Sequence, residues 1–196
     1  MGPSELDGTW DYSQLPANVT LGRDCFIESP RLLGGFRSER QPGLVLGDGV
    51  RLHLGGWGGM VSVEREGMVT IGADSTLVGV QIMCLRSISI GKRVVISYNA
   101  VLADSDFHPA EPDKRRADAI SGAPFGTFTG FHPTPHAPVR IEDDVRIGIN
   151  AIVLKGVTIG AGARVDAGTV VTKDVPAGAL ARGNPMTITL GCEPAS

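Results

Sequence analysis

Residues 141–176 read IEDDVR, IGINAI, VLKGVT, IGAGAR, VDAGTV and VTKDVP when the sequence is cut into groups of six. Each group begins with isoleucine or valine, at positions 141, 147, 153, 159, 165 and 171. A fixed internal period decides the architecture before residue propensities do. A period of six matches neither the 3.6 of an α-helix nor the alternation of a simple hairpin. It matches a short strand and a turn, repeated so that every sixth side chain points the same way.

Three groups of six complete one coil of a three-sided column, and the strands of successive coils stack at roughly 4.8 Å. The aliphatic residue that begins each group then fills the interior, where burial contributes roughly 1.5–3 kcal/mol per side chain. The residues between these anchors tolerate the left-handed backbone of tight corners; they are Gly148, Asn150, Gly156, Gly160, Gly162, Asp166 and Gly168. The stretch therefore predicts a parallel β-helix.

The composition agrees with a thin aliphatic core and many corners. The chain of 196 residues is 42% hydrophobic and only 5% aromatic, and it contains 27 glycines. A net charge of −3 argues against a nucleic-acid partner held by phosphate neutralisation. The three cysteines show no CxxC spacing, and no apolar run approaches the ~18 residues of a membrane span. We expect a cytoplasmic protein without a membrane partner.

The six-residue step extends over most of the chain and predicts one domain, 1–196. Residues 1–20 are expected to form an N-terminal arm, and 176–196 a short C-terminal cap, because stacked arrays need covered ends. The step falters over 55–68, where we expect a bulge or an irregular coil. Between Ile71 and Ile90 the anchors are offset by one residue from the ideal coil.

The step is absent from residues 103–138, which carry six prolines and three of the four histidines. A long unpatterned segment inside a repeat array is usually functional or disordered, and regular coils on both sides favour a functional, protruding loop. His108 lies where the coil gives way to this loop. Histidine is the residue type that most often serves as a general base at neutral pH, so His108 is the candidate catalytic base. The alternative is a loop histidine that caps a turn.

Two carboxylates precede His108. Asp106 lies two residues earlier, so in extended backbone both side chains point to one face, and Asp106 is the candidate to orient the imidazole. Asp104 has the same parity. Either aspartate is also explained as a turn residue that binds local amides.

The run VLKGVTIGAGARVDAGTVVTKDVPAGALARGNP at 153–185 resembles the hexapeptide-repeat acyltransferases, specifically their sugar O-acetyltransferase and xenobiotic acetyltransferase branches. The resemblance implies a left-handed β-helix, although right-handed crossovers prevail in general. It also implies a homotrimer with active sites between subunits, and acetyl-CoA as the acetyl donor. The implied reaction is transfer to a hydroxyl of a sugar or small natural product, with an amine acceptor left open.

The resemblance also carries residue roles. The His108-Pro109 pair matches the position of the family's catalytic base. Residues matched to the cofactor path are Gly148, Ala167, Thr172 and Lys173. Lys173 is equally explained as a solvated outer-face residue, as is Lys155.

The chain departs from the family pattern at three places. Arg146 replaces a tryptophan, and 186–188 replace basic residues after Gly-Asn-Pro, for which Arg182 is the candidate substitute. Gly79 occupies the register position of an acceptor-binding asparagine.

Two other functions share this fold pattern. A zinc hydro-lyase of the γ-carbonic-anhydrase kind needs three histidines on adjacent strands, whereas the coils supply only His53. His132 and His136 lack a third ligand nearby in sequence, so we predict no metal site. A non-catalytic trimeric scaffold is the other alternative.

Overall fold

The computed structural model describes residues 12, 15–55, 58–121 and 134–191. Most of the predicted N-terminal arm, residues 122–133 of the loop, His132 and Cys192 lie outside the described residues. In chain order the strands are β1 (Val19–Leu21), β2 (Phe26–Ile27), β3 (Leu44–Leu46), β4 (Arg51–His53), β5 (Met60–Val63), β6 (Met68–Ile71), β7 (Thr76–Val78), β8 (Gln81–Cys84), β9 (Ser87–Ile90), β10 (Val95–Ile96), β11 (Val101–Ala103), β12 (Val139–Ile141), β13 (Arg146–Ile147), β14 (Ile152–Val153), β15 (Thr158–Ile159), β16 (Arg164–Val165), β17 (Val170–Val171), β18 (Leu180–Arg182) and β19 (Thr187–Thr189).

These strands form three parallel sheets, which are the three faces of a column. Sheet 1 has the order β1-β3-β6-β9-β12-β15, sheet 2 the order β19-β18-β16-β13-β10-β7-β4-β2, and sheet 3 the order β17-β14-β11-β8-β5. Every pairing is parallel except that of β18 with β19, which closes the C-terminal end. The predicted left-handed parallel β-helix is confirmed by this all-β solenoid of about seven turns.

The predicted anchors fill the interior of the column. The six that begin the groups of residues 141–176 are at most 3% exposed; they are Ile141, Ile147, Val153, Ile159, Val165 and Val171. A second buried position lies two residues before each anchor, because alternate residues of a strand share a face. Its occupants are small or β-branched: Val139, Val145, Ala151, Val157, Ala163 and Thr169.

The strand register confirms the spacing read from the sequence, including its two irregularities. Ile71 pairs with Ile90, and Ile141 pairs with Ile159, so the one-residue offset in the middle of the chain is real. Residues 55–68 were expected to form a bulge or an irregular coil. β5 is a regular strand that pairs with β8, but the paired residues are 25 apart at Arg51–Thr76, 21 apart at Met60–Gln81 and 19 apart at Met68–Ser87. The corners on both sides of β5 therefore contain extra residues, as expected for an irregular coil.

Where two sheets meet, the chain turns a corner, and the stacked corners form three edges of the column. Edge 1–2 includes residues 91–94, 142–145 and 160–163; edge 2–3 includes 97–100, 148–151 and 166–169; edge 3–1 includes 154–157 and 172–174.

An arm leaves the column at edge 3–1, between β11 and β12. Ile90 of sheet 1 pairs with Ile141, so the arm is inserted without disturbing the stacking. The arm contains a helix, α1 (Pro112–Ser121), which its proline content had not indicated. A 3₁₀ helix at Pro30–Leu33 packs against β5. No helix in the described ranges has the length and apolarity needed to cross a membrane.

Candidate active site

The arm begins at a buried carboxylate. Asp104 is fully buried, and its side chain accepts hydrogen bonds from the backbone N–H groups of Leu85, Arg86 and Ser87, each at 2.7 Å. These three amides form the corner between β8 and β9, one coil below the arm. Asp104 therefore ties the arm to the column. The turn interpretation expected local amides, but the amides that Asp104 binds are 17–19 residues earlier in the chain, on the neighbouring coil.

The two ends of the arm are joined to each other and to the next coil. Ala137 N–H donates to the Asp104 carbonyl at 2.9 Å, and Gly156 N–H donates to the Ala137 carbonyl at 3.0 Å. Ser105 and His136 form an antiparallel bridge. Together with the Asp104 carboxylate, these bonds connect three consecutive coils, so the neck of the arm has a fixed place on edge 3–1.

His108 lies just beyond this neck, on an exposed elbow. Its N–H donates to the Asp106 carbonyl at 2.7 Å, and Phe107 between them has a left-handed backbone with φ of 58°. Pro109 is buried, and Arg115 of α1 donates to the Pro109 carbonyl at 3.1 Å. The elbow is thus held from both sides, while the imidazole-bearing residue remains exposed to solvent.

Asp106 makes a contact that the sequence did not predict. Its carboxylate accepts a short hydrogen bond of 2.5 Å from Lys155 Nζ, one coil further along the column. In the sequence, Lys155 was explained as a solvated residue of the outer face. Its position at edge 3–1, where the arm begins, is the signal that could have drawn attention to it. The role of Asp106 in orienting the His108 imidazole stays a prediction.

The residues matched to the cofactor path lie on two different edges. Gly148, Ala167 and Arg182 are at edge 2–3, whereas Thr172 and Lys173 are at edge 3–1 with His108. Sheet 3 separates the two groups, because Ala167 lies in the corner that precedes β17 and Thr172 lies in the corner that follows it. Within one chain, the structure therefore brings Thr172 and Lys173 to the arm and leaves the other three residues apart from it.

Gly148 also has a role inside the column. A Cβ atom on this residue would lie 2.6 Å from the backbone nitrogen of Ala167 in the next coil. The glycine is therefore required for the close stacking of corners, whether or not a cofactor approaches it. Arg182 pairs with Asp166 across adjacent coils at 3.5 Å, and both side chains are about half exposed.

Edge 2–3 carries exposed apolar and amide side chains that the sequence reading did not single out. Tyr98 and Ile149 are each 42% exposed. Beside them, the Asn99 amide donates to the Asn150 side chain at 2.8 Å. Leu154, on edge 3–1, is 39% exposed. Two edges thus expose apolar groups near the predicted cofactor residues.

Cys84 and His53, which lie outside the arm, have structural partners. Burial and the neighbouring Asp104 carboxylate raise the pKa of the Cys84 thiol well above its usual range, which makes it a poor nucleophile. His53 pairs with Glu28 at 3.5 Å and packs against the ring of Phe26. Within residues 15–55, 58–121 and 134–191, no group of three or more potential metal ligands is present.

The six-residue repeat of this chain is similar to repeats of known proteins. Residues 138–173 match the model of the hexapeptide repeat of succinyl-transferase. A 2,3,4,5-tetrahydropyridine-2,6-dicarboxylate N-acetyltransferase from Staphylococcus aureus is 55% identical over 58 residues, which are 30% of this chain and 24% of that protein. The chain thus aligns with about a quarter of the length of the curated relatives it matches.

Solved structures extend the likeness to the column. A hexapeptide-repeat-containing acetyltransferase from Vibrio cholerae is 31% identical and aligns over 62% of this chain and 61% of its own, with a TM-score of 0.51. The polySia-specific acetyltransferase NeuO is 27% identical over 75% of this chain and 65% of its own, with a TM-score of 0.53. Structures of this fold include complexes with coenzyme A. The chain therefore contains the hexapeptide repeat and resembles acetyltransferases built from it, so the resemblance seen in its sequence is confirmed.

Proposed function

We propose that this protein is an acetyltransferase that moves an acetyl group from acetyl-CoA to a small-molecule acceptor, with His108 as the general base. The observation that carries the proposal is the place of His108, exposed on a tethered elbow at the junction of arm and column. Two similar structures bear the name acetyltransferase, which supports the same reaction class.

In this mechanism the imidazole of His108 accepts the proton of the acceptor's O–H or N–H group. The oxygen or nitrogen bonds to the acetyl carbonyl carbon, the carbon–sulfur bond breaks, and the CoA thiolate leaves with the proton from the imidazolium. General-base catalysis of this kind contributes typically 10²–10⁴-fold. No acyl-enzyme is needed, and the buried, weakly acidic Cys84 thiol is unsuited to form one.

The acceptor is a hydroxyl of a sugar or small natural product, and an amine is the second possibility. NeuO is named for a polymeric sugar, whereas the Staphylococcus aureus relative is named as an N-acetyltransferase. Both chemistries use the same base, so an acceptor screen must contain hydroxyl and amine compounds.

We also propose a homotrimer with the sites between copies. The cofactor-path residues of one chain lie on two edges, and a second copy that packs its edge 2–3 against edge 3–1 brings both groups to one groove. Exposed Tyr98, Ile149 and Leu154 supply apolar surface for that contact. The cytoplasmic location expected from the sequence stays a prediction.

The test is the variant His108→Ala, assayed by thiol release from acetyl-CoA in the presence of hydroxyl and amine acceptors. We expect turnover to fall by at least about 100-fold, with unchanged coenzyme A binding by calorimetry and an unchanged circular dichroism spectrum. His136→Ala, on the same arm, is the matched control and should keep its activity.

Retained turnover in His108→Ala would remove this residue as the base. An absence of saturable coenzyme A binding to the unmodified protein would instead favour the trimeric scaffold.

A further inference from the structure

We propose that Lys155 is a positioning residue for His108 and that it acts through Asp106. The proposal rests on the acetyltransferase function argued above. Lys155 belongs to the column, whereas the proposed base, His108, lies on the arm.

Lys155 is built into the same hydrogen-bonded unit as the neck of the arm. Leu102 pairs with Val153, so by register Lys155 follows Asp104 one coil further along edge 3–1. The adjacent Gly156 N–H donates to the Ala137 carbonyl at 3.0 Å, and Ala137 N–H donates to the Asp104 carbonyl at 2.9 Å. The base of the lysine side chain is therefore fixed relative to the beginning of the arm.

Asp106 is the first residue of the arm whose side chain leaves the column, and three bonds hold it. Its N–H donates to the Pro135 carbonyl at 3.1 Å, its carbonyl accepts from His108 N–H at 2.7 Å, and its carboxylate binds Lys155 Nζ at 2.5 Å. The lysine supplies the only one of these three bonds that comes from the column.

The electrostatic setting explains why the contact matters for placement more than for folding. The Lys155 and Asp106 side chains are 34% and 46% exposed, and ion pairs with this exposure add little to global stability. Catalysis is far more sensitive, because a displacement of about 1 Å in a reacting group can reduce the rate by 10²-fold. Loss of the contact should therefore appear in the rate while the melting temperature stays constant.

The experiment uses Lys155→Met, Asp106→Asn and the double variant, with Lys92→Met on edge 1–2 as the matched control. We expect Lys155→Met to lower kcat by about 10–100-fold without changing KM for acetyl-CoA. Asp106→Asn should cause a similar loss, and the double variant should lose no more than either single one, because both changes break one contact. Lys155→Arg and the exchange Asp106→Lys with Lys155→Asp should restore part of kcat.

A second measurement does not depend on turnover. Amide hydrogen exchange at residues 105–110 should become faster in Lys155→Met and stay unchanged in Lys92→Met. Any of three outcomes would overturn the proposal. They are a wild-type kcat in Lys155→Met, fully additive losses in the double variant, and a change confined to KM for an anionic acceptor. If the unmodified protein shows neither thiol release nor coenzyme A binding, the proposed function fails. In that case the role of Lys155 is tested by amide hydrogen exchange alone, and unchanged exchange in Lys155→Met would overturn it.

Discussion

Asp104 shows how a single side chain links an inserted arm to a repetitive column. Its carboxylate has no exposed surface and accepts three backbone hydrogen bonds from the corner at residues 85–87. Hydrogen bonds to a charged group are worth about 1.5–3 kcal/mol each, and a buried donor without a partner adds its own desolvation cost. One aspartate thus contributes both to folding and to the location of the elbow.

Replacement of Asp104 tests this account. We expect Asp104→Ala to lower the free energy of unfolding by about 3–5 kcal/mol, because three amides at the corner lose their acceptor. Urea denaturation followed by circular dichroism measures the change. Asp113→Ala, on the exposed first turn of α1, is the control and should change stability by less than about 1 kcal/mol. Equal stability of the Asp104 variant and the native protein would contradict the role.

At the scale of single elements, the six-residue group proves to contain two inward positions. The anchors, such as Ile147, are visible in the sequence because they are large and regularly spaced. The second position, such as Ala151 or Ala163, is occupied by smaller residues that also occur on surfaces, so its period is hidden. The corners of successive coils also stack so closely that there is no room for a Cβ atom at some positions. This explains why glycine follows isoleucine at positions 148 and 160.

The stacking requirement predicts the effect of a single methyl group. A Cβ atom on Gly160 would collide with the backbone of Ala177, which cannot move without shifting the next coil. We expect Gly160→Ala to destabilise the protein by about 1–3 kcal/mol, measured by urea denaturation. Gly162→Ala is the comparison: its φ is +67° but nothing lies within 4 Å, so only the backbone strain of about 1–2 kcal/mol applies. A neutral Gly160→Ala would show that the coils can separate freely.

The column could be predicted from sequence because its pattern is local and repeated. A protruding loop could also be predicted, but the bonds that fix it could not, because they join distant residues and do not repeat. The spacing of Ile141, Ile147 and Val153 indicates the same fold in every coil. In contrast, the pairing of Asp106 with Lys155 joins residues 49 positions apart, and nothing in either neighbourhood indicates it. His108 was found by its chemistry and its place beside the coil, and its role as base still awaits the experiment.

For the whole molecule, the three edges differ in what they expose. Edge 1–2 carries a ladder of charges in which Arg93 binds Asp144 at 2.6 Å and Arg23 binds Asp48 at 2.7 Å. Edges 2–3 and 3–1 expose Tyr98, Ile149 and Leu154 instead. The distribution suits a particle whose charged edge faces water and whose other two edges meet further copies of the chain.

This distribution predicts the mass in solution. Sedimentation equilibrium should give three times the 20.5 kDa of one chain. Ile149→Glu should shift the mass toward one chain, since it places a charge in the apolar contact, whereas Lys92→Glu on edge 1–2 should leave the mass unchanged. A monomer at all concentrations would exclude the proposed arrangement of shared sites.

The charged edge predicts a dependence of stability on pH. A hydrogen bond from Arg93 lowers the pKa of the Asp144 carboxyl below its ordinary value of 3.8. Since the pKa is lower in the folded state, the stabilisation is present above about pH 4 and is lost as the pH falls through the folded value. The difference in melting temperature between native protein and Arg93→Met should therefore shrink from pH 6 to about pH 3. Arg116→Met on α1 is the control, and a difference that grows on acidification would contradict the sign.

The bond between Asp104 and Ala137 at the neck has a practical consequence for dissecting the proposed reaction. Because the two ends of the arm already meet there, a short turn that splices residue 104 to residue 137 would close the gap without moving any rung of the column. Such a minimal chain would retain the surfaces proposed for cofactor capture and lack the proposed base. It would separate the proposed binding of the donor from the proposed transfer of its acetyl group.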